Sequence, residues 1–126
     1  MEIHKSAENY LETILLLEKR LDSVRSVDVA NELGFSKPSV SIAMKNLREN
    51  GHIVMDGKGA ILLTDSGRQV AEIIYERHTL LTDFFVSLGV DYETAAEDAC
   101  NMEHIISPKS FAAIKALYSN LKNKER

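Results

Sequence analysis

Residues 36–63 read SKPSVSIAMKNLRENGHIVMDGKGAILL, and the period of the apolar residues changes inside this stretch. Val40, Met44 and Leu47 lie four and three residues apart, the spacing of one face of an α-helix. Ser36 is placed to cap that helix, and Pro38 falls in its first turn, where the missing N–H costs nothing. Gly51 stops it. Ile53-Val54-Met55 and Ala60-Ile61-Leu62-Leu63 are then short runs of β type. Between them, Asp56-Gly57-Lys58-Gly59 signals a hairpin, because glycine accepts positive φ without a Cβ clash.

Upstream, a shorter helix covers Val27 to Leu33 after Ser26, with Gly34 at the position that ends it, and a first helix runs from Ser6, its cap, to about Leu21. Tyr10, Leu11, Ile14, Leu15 and Leu17 form the apolar face of that first helix. Downstream, Thr64 or Asp65 caps a long helix reaching about Leu88, where Gly89 ends it. Asp91 caps a fifth helix from Tyr92 to about Ile106. Ser107-Pro108 opens a sixth, with Phe111, Ile114, Leu117 and Leu121 facing inward. The expected fold is mainly α: a winged helix-turn-helix with a small β-hairpin wing over residues 1–64, then a helical domain over 65–126.

Composition narrows the class. The 126 residues are 44% hydrophobic, as in an ordinary globular chain, and no apolar run approaches the roughly 18–20 residues of a membrane helix. Met1-Glu2-Ile3-His4-Lys5 lacks the apolar core of a signal peptide. Cys100 is the only cysteine, which excludes an internal disulfide and suits a reducing compartment. A cytoplasmic protein with no membrane partner is expected. The net charge of −4 is unlike a basic nucleic-acid-binding domain, but it is unevenly spread. Between Ser36 and Lys58, Lys37, Lys45, Arg48 and Lys58 outweigh Glu49 and Asp56 to leave +2, so the rest of the chain carries −6. Weak binding to random DNA follows, because phosphate attraction supplies most non-specific affinity.

A short helix, a glycine turn and a second helix make a helix-turn-helix, and the hairpin directly after it adds a wing. The second helix opens with Ser36, Lys37, Pro38, Ser39 and Ser41, small hydroxyls and a cation suited to phosphates and base edges in a major groove. Lys58 stands between two glycines at the wing tip, free to approach a phosphate backbone. Lys45 follows Ser39 by six residues, about 240° round the helix. The plainer reading makes the serines caps and the lysines a solvated face, and for Ser36 capping is part of the role.

A second constellation lies in the fifth helix. Cys100, Glu103 and His104, spaced i, i+3, i+4, point to one side of a helix. Thiolate, carboxylate and imidazole together are a transition-metal donor set. One helix face rarely completes a site. His78 on the long helix is the natural further donor, and Asn9 and Glu12 on the first helix are next. Singly, each has a plainer reading: a buried cysteine is a small hydrophobe, and Glu103 with His104 is a surface pair. His4 and His52 have no such context and read as surface residues.

The run Ser6-Ala7-Glu8-Asn9-Tyr10-Leu11-Glu12-Thr13-Ile14, the turn Ser36-Lys37-Pro38-Ser39-Val40, the pair Arg77-His78, and above all Asp98-Ala99-Cys100-Asn101-Met102-Glu103-His104-Ile105-Ile106-Ser107 resemble the diphtheria-toxin-repressor family of metalloregulators. The similarity spans nearly the whole chain. It implies a homodimer that binds a palindromic double-stranded operator and represses metal-uptake genes when iron or manganese is plentiful. Residues 65–126 then form the dimerisation and metal-sensing domain, and the ending at Arg126 resembles the shorter members without an SH3-like third domain. Cys100, Glu103 and His104 match primary ligands of the iron-type members, His78 a ligand used in both branches, and Glu12 a carboxylate of the manganese type. Asn9 departs from the pattern, standing where iron-type members have methionine and manganese-type members aspartate. Ala96 and Thr82 replace two ancillary ligands of the iron type. Since thiolate is a soft donor, Fe²⁺ is the favoured divalent ion, with Mn²⁺ second on the strength of Glu12 and the short length.

On this reading, ligands from the first, fourth and fifth helices fix the DNA-binding half against a dimer core and set the recognition helices to half-sites about 34 Å apart. Without the cation, Glu12 and Glu103 repel. Phe84, Phe85, Ile105 and Ile106 are candidates for the dimer surface. Three rival readings stand beside it. One is a small metalloenzyme with an open coordination position. Another is a winged-helix regulator using Cys100 as a metal-independent redox switch. The third is a winged helix that binds protein rather than DNA.

Overall fold

In the computed structural model, which describes residues 5–124, the elements follow in the order α1 (Lys5–Glu18), α2 (Ser26–Leu33), α3 (Lys37–Glu49), β1 (Ile53–Met55), β2 (Ile61–Leu63), α4 (Asp65–Ser87), α5 (Tyr92–Met102) and α6 (Pro108–Lys124). They form two units, Met1–Ile73 and Ile74–Arg126, which divide within α4. His4 lies outside the described residues.

The N-terminal unit is built on the faces that the periodicity marks. Leu11, Ile14, Leu15 and Leu17 of α1, Val29 and Ala30 of α2, and Val40, Met44 and Leu47 of α3 are buried with Ile53 and Ile61 of the strands. Each such aliphatic side chain contributes about 1.5–3 kcal/mol on leaving water. Ser36 caps α3, its Oγ accepting from the Ser39 N–H at 3.3 Å, and Pro38 sits in the first turn. Gly34 after α2 has φ 70° and Gly51 after α3 has φ 79°, conformations that exclude most side chains.

The antiparallel wing pairs Ile53 with Leu63, Val54 with Leu62 and Met55 with Ile61. Its tip is organised by Asp56, whose Oδ1 accepts from the N–H groups of Lys58 (2.8 Å) and Ala60 (2.9 Å). Those bonds, from Ala60 first and then Lys58, hold the Asp56 carboxyl below the usual aspartate range. Val24 adds a bridge to Ile61, whose N–H donates to the Val24 carbonyl at 2.7 Å. Val24 stands alone among polar neighbours, so no local pattern announces it.

Several boundaries differ from the sequence expectation. Lys5 is already helical, so Ser6 lies inside α1 rather than capping it, and α1 stops at Glu18, short of Leu21. There the N–H groups of Lys19 and Arg20 tighten onto the carbonyls of Leu16 and Leu17. Helix α2 includes Ser26; its cap is Arg25, whose N–H donates to the Asp28 carboxylate at 2.9 Å. His52 is buried, not a surface residue: its Nδ1 lies 3.0 Å from Ser66 Oγ at the start of α4. Thr64 caps α4, accepting from the Gly67 N–H at 3.2 Å. Gly67 packs so closely on the His52 carbonyl that a Cβ there would overlap it.

The C-terminal unit packs Leu81 of α4, Ala99 of α5 and Phe111 of α6 together, with Leu80, Phe85, Met102, Ile106 and Ile114 around them. Asp91 caps α5 by accepting from the Thr94 N–H (2.9 Å), and Ser107 caps α6 by accepting from the Ser110 N–H (3.0 Å). Two expectations fail here. Leu117 and Leu121 are exposed, and of the four apolar α6 residues expected to face inward only Phe111 and Ile114 join the unit's core. Helix α5 ends at Met102 rather than near Ile106. Pro108 disfavours helical backbone at Ser107, so the chain leaves the helix through a turn at 103–106 before α6 starts.

Candidate metal centre and nucleic-acid interface

That early stop decides the metal constellation. Glu103 and His104 occupy the turn after α5, with the Glu103 N–H still bonded to the Ala99 carbonyl at 2.9 Å. Cys100 is thus the one of the three inside α5, while Glu103 caps its C-terminus in αR backbone and His104 follows in the turn. Cys100 is exposed near the end of α5, whereas the side chains of Glu103 and His104 are each 1% exposed. The Glu103 carboxylate lies between two imidazoles: Oε2 is 2.8 Å from His78 Nδ1 on α4, and Oε1 is 3.3 Å from His104 Nε2. His78 is 32% exposed, giving the group an edge toward solvent.

The two sides of the carboxylate differ. The His78 contact has hydrogen-bond geometry. Oε1 is buried without a hydrogen bond, because the His104 nitrogen, though within ion-pair distance, is not aligned with it. Leaving a buried carboxylate oxygen unsatisfied costs about 1–3 kcal/mol or more. A cation accepting lone pairs from both oxygen and imidazole removes that cost, so the donor chemistry fits a divalent transition metal. Among the described residues, however, no three His, Cys, Asp or Glu side chains already converge as a ligand shell. The structure brings together His78, Glu103 and His104, and Cys100 is exposed on α5 one turn earlier.

Glu12 and Asn9 belong to α1 of the N-terminal unit. Glu12 is buried and Asn9 half-buried, its carbonyl accepting from Thr13 Oγ1 at 2.8 Å. Thr82 and Ala96 bring no carboxylate or imidazole; Thr82 Oγ1 donates to the His78 carbonyl at 2.7 Å and steadies that turn of α4. Of the proposed dimer residues, Phe85 and Ile106 pack in their own unit's core and Phe84 meets Tyr118 edge-on at 6.0 Å. Ile105 is exposed, as are Val86, Leu88 and Tyr92, which the sequence reading did not single out.

The candidate DNA face is accessible as expected. Ser36, Lys37, Pro38, Ser39, Ser41 and Lys45 are exposed at and along α3, and Lys58 is exposed at the wing tip. The Ser36 hydroxyl also donates to Ser39 Oγ at 2.8 Å, so the two serines form one small polar platform at the helix start. Two further exposed or wing-side residues carry no local sequence signal. Ile42 is exposed on α3 between Ser41 and Lys45. Arg25 lies beside the wing, where its charge acts on Asp56. A lone isoleucine in a helical pattern gives no sign of facing outward, and Arg25 reaches the wing only through the fold.

The description "Iron dependent repressor, N-terminal DNA binding domain" matches residues 2–61, and "Iron dependent repressor, metal binding and dimerisation domain" matches residues 64–126. The chain belongs to the iron dependent repressor family. Members of this family are metal-dependent DNA-binding transcriptional regulators rather than enzymes, and the comparisons give no support to a metal-independent redox switch at Cys100. The transcriptional regulator MntR of Escherichia coli O6:H1 is 35% identical over 86% of this chain and 70% of its own length. An HTH-type transcriptional regulator of Methanocaldococcus jannaschii is 30% identical over 95% of this chain and 98% of its own. A solved manganese-dependent transcriptional repressor in complex with manganese superposes with TM-score 0.79 and 33% identity, over 87% of this chain and 51% of that one. The chain thus spans about half the length of that solved relative. The fold expected from the sequence, winged helix-turn-helix followed by a helical domain, is the family's fold. No described helix is long and apolar enough to cross a membrane.

Proposed function

We propose that this regulator binds a divalent cation through His78, Glu103 and His104, with Cys100 as a further ligand, and that the cation raises its affinity for a palindromic operator as a cytoplasmic homodimer. The observation that carries this reading is the buried Glu103 carboxylate between two imidazoles, one oxygen lacking a hydrogen bond. Bound metal supplies positive charge that satisfies that oxygen. The chain's own residues supply the geometry: α4 presents His78, and the turn after α5 presents Glu103 and His104. The DNA contacts are those of Ser36, Lys37, Pro38, Ser39, Ser41 and Lys45, with Lys58 on the flanking phosphates.

Cys100 favours the softer ion. A thiolate ligand orders Fe²⁺ above Mn²⁺ in affinity, so Fe²⁺ is the preferred cation. Mn²⁺ is the competitor, in keeping with the manganese-dependent repressor among the similar structures. Glu12 is read as a donor on the family pattern, and Asn9, which departs from that pattern, as a neutral oxygen donor beside it. The expected output is repression of iron- or manganese-uptake genes. Metal–DNA coupling is reciprocal: the factor by which metal tightens DNA is the factor by which DNA tightens metal.

The deciding experiment is a metal-panel titration with operator binding read by fluorescence anisotropy. His78→Ala abolishes the metal dependence, Glu12→Gln weakens metal binding, and Cys100→Ala erases the preference for Fe²⁺ over Mn²⁺. Unchanged metal dependence in His78→Ala and Cys100→Ala removes the site assignment.

A further inference from the structure

The turn that carries Glu103 and His104 presents a problem of its own. A helix end leaves carbonyls without intrahelical N–H partners; here the N–H groups of Ile105 and Ile106 both turn to Met102, and the carbonyls of the turn itself are left over. Arg77, the residue before His78 on α4, fills the gap. Its Nη1 donates to the carbonyl of Glu103 at 3.1 Å and to the carbonyl of Ile106 at 3.1 Å, one at each end of the turn. The guanidinium lies 5.7 Å from the ring centroid of Phe111, which begins the buried face of α6. Its Nε is buried without a hydrogen bond, so the group is held there for what Nη1 does.

We infer that Arg77 is a positioning residue for the metal centre: by clamping the two carbonyls it fixes the turn so that Glu103 and His104 point inward toward His78. The inference rests on the proposed reading of Glu103 and His104 as ligands. The clamp acts on the turn that carries the two buried donors, downstream of Cys100, which is exposed on α5. If the peptide rotates at Glu103, the carboxylate leaves His78 and the imidazole leaves the carboxylate together.

Electrostatics and positioning predict opposite signs here. Removing a positive charge next to a dication site should tighten metal binding by Coulomb's law alone. Loss of a group that orients ligands instead weakens it, by about 10–100-fold. The test is a Co²⁺ titration of the full chain followed by the visible ligand-field bands, for wild type, Arg77→Met and Arg77→Lys. Thermal unfolding without metal is measured in parallel. We expect Arg77→Met to bind Co²⁺ about 10–100-fold more weakly with shifted bands. We expect Arg77→Lys, whose ammonium still donates to two carbonyls, to recover most of the affinity and the wild-type spectrum. Tighter or unchanged binding in Arg77→Met overturns the inference, as does a folded Arg77→Lys that recovers nothing. Should Arg77→Met unfold, Arg77→Gln takes its place; loss of the fold in both makes Arg77 a plain stability residue and overturns the assignment. Failure of the wild type itself to bind Co²⁺ sinks the ligand reading and the positioning role together, whereas normal wild-type binding with unaltered variants sinks only the latter.

Discussion

Glu103→Gln separates the charge of the carboxylate from its shape. The side chain is 1% exposed, with His78 Nδ1 at 2.8 Å and His104 Nε2 at 3.3 Å, so an isosteric amide occupies the same space. Without metal the substitution keeps the shape of the side chain and exchanges one carboxylate oxygen for an amide group, a cost read from unfolding of the metal-free variant. With metal the effect is large. Groups that merely orient a ligand are worth about 10–100-fold in affinity, so losing the carboxylate ligand costs at least about 100-fold, or roughly 3 kcal/mol. At free metal of about 100 times the wild-type Kd, binding stabilises the wild type by about 2.7 kcal/mol. The same concentration only matches the variant's Kd and contributes about 0.4 kcal/mol. For a chain of this size each kcal/mol moves Tm by about 4 °C, so Mn²⁺ should raise Tm by about 11 °C in the wild type and about 2 °C in the variant. Calorimetry with and without Mn²⁺ measures both. Equal metal-induced rises would refute the argument that the buried carboxylate is a ligand.

Other consequences concern the N-terminal unit. Gly67→Ala forces a methyl group onto the His52 carbonyl and should lower stability by about 1–3 kcal/mol in urea unfolding; a variant as stable as the wild type contradicts the close packing of α4 on the wing. Lys58→Ala should weaken DNA binding by a similar factor on all sequences and lower the salt slope by about 1, while metal affinity in the absence of DNA stays at the wild-type value. A change in base preference would instead place Lys58 on a base edge. The wing tip should respond to acid in a defined direction. Backbone bonds from Ala60 and Lys58 lower the Asp56 pKa in the folded state, so its contribution is complete above about pH 4 and is lost as pH falls through the lowered native value. Protection of the Lys58 and Ala60 amides, relative to an unstructured peptide at the same pH, should fall over that window; Asp56→Asn should show low protection without the pH step.

The sequence by itself determined the order of elements and the nature of the donors. Apolar spacing around Val40, Met44 and Leu47, the change to paired runs about Asp56-Gly57-Lys58-Gly59, and the caps Ser36, Asp91 and Ser107 are local signals, and local backbone and side-chain chemistry is enough to read them. Only the tertiary structure decided where α5 stops and which donors meet. The spacing of Cys100, Glu103 and His104 implied one continuous helix, but α5 ends at Met102, and Glu103 and His104 lie in a turn whose end carbonyls accept from Arg77. His52 and Val24 were illegible for the same reason: the burial of one depends on Gly67 and Ser66, and the strand role of the other on Ile61, partners distant in sequence that no local period encodes. Backbone periodicity is a property of neighbours along the chain, whereas a ligand set and a buried polar group depend on which distant residues the fold brings to face them.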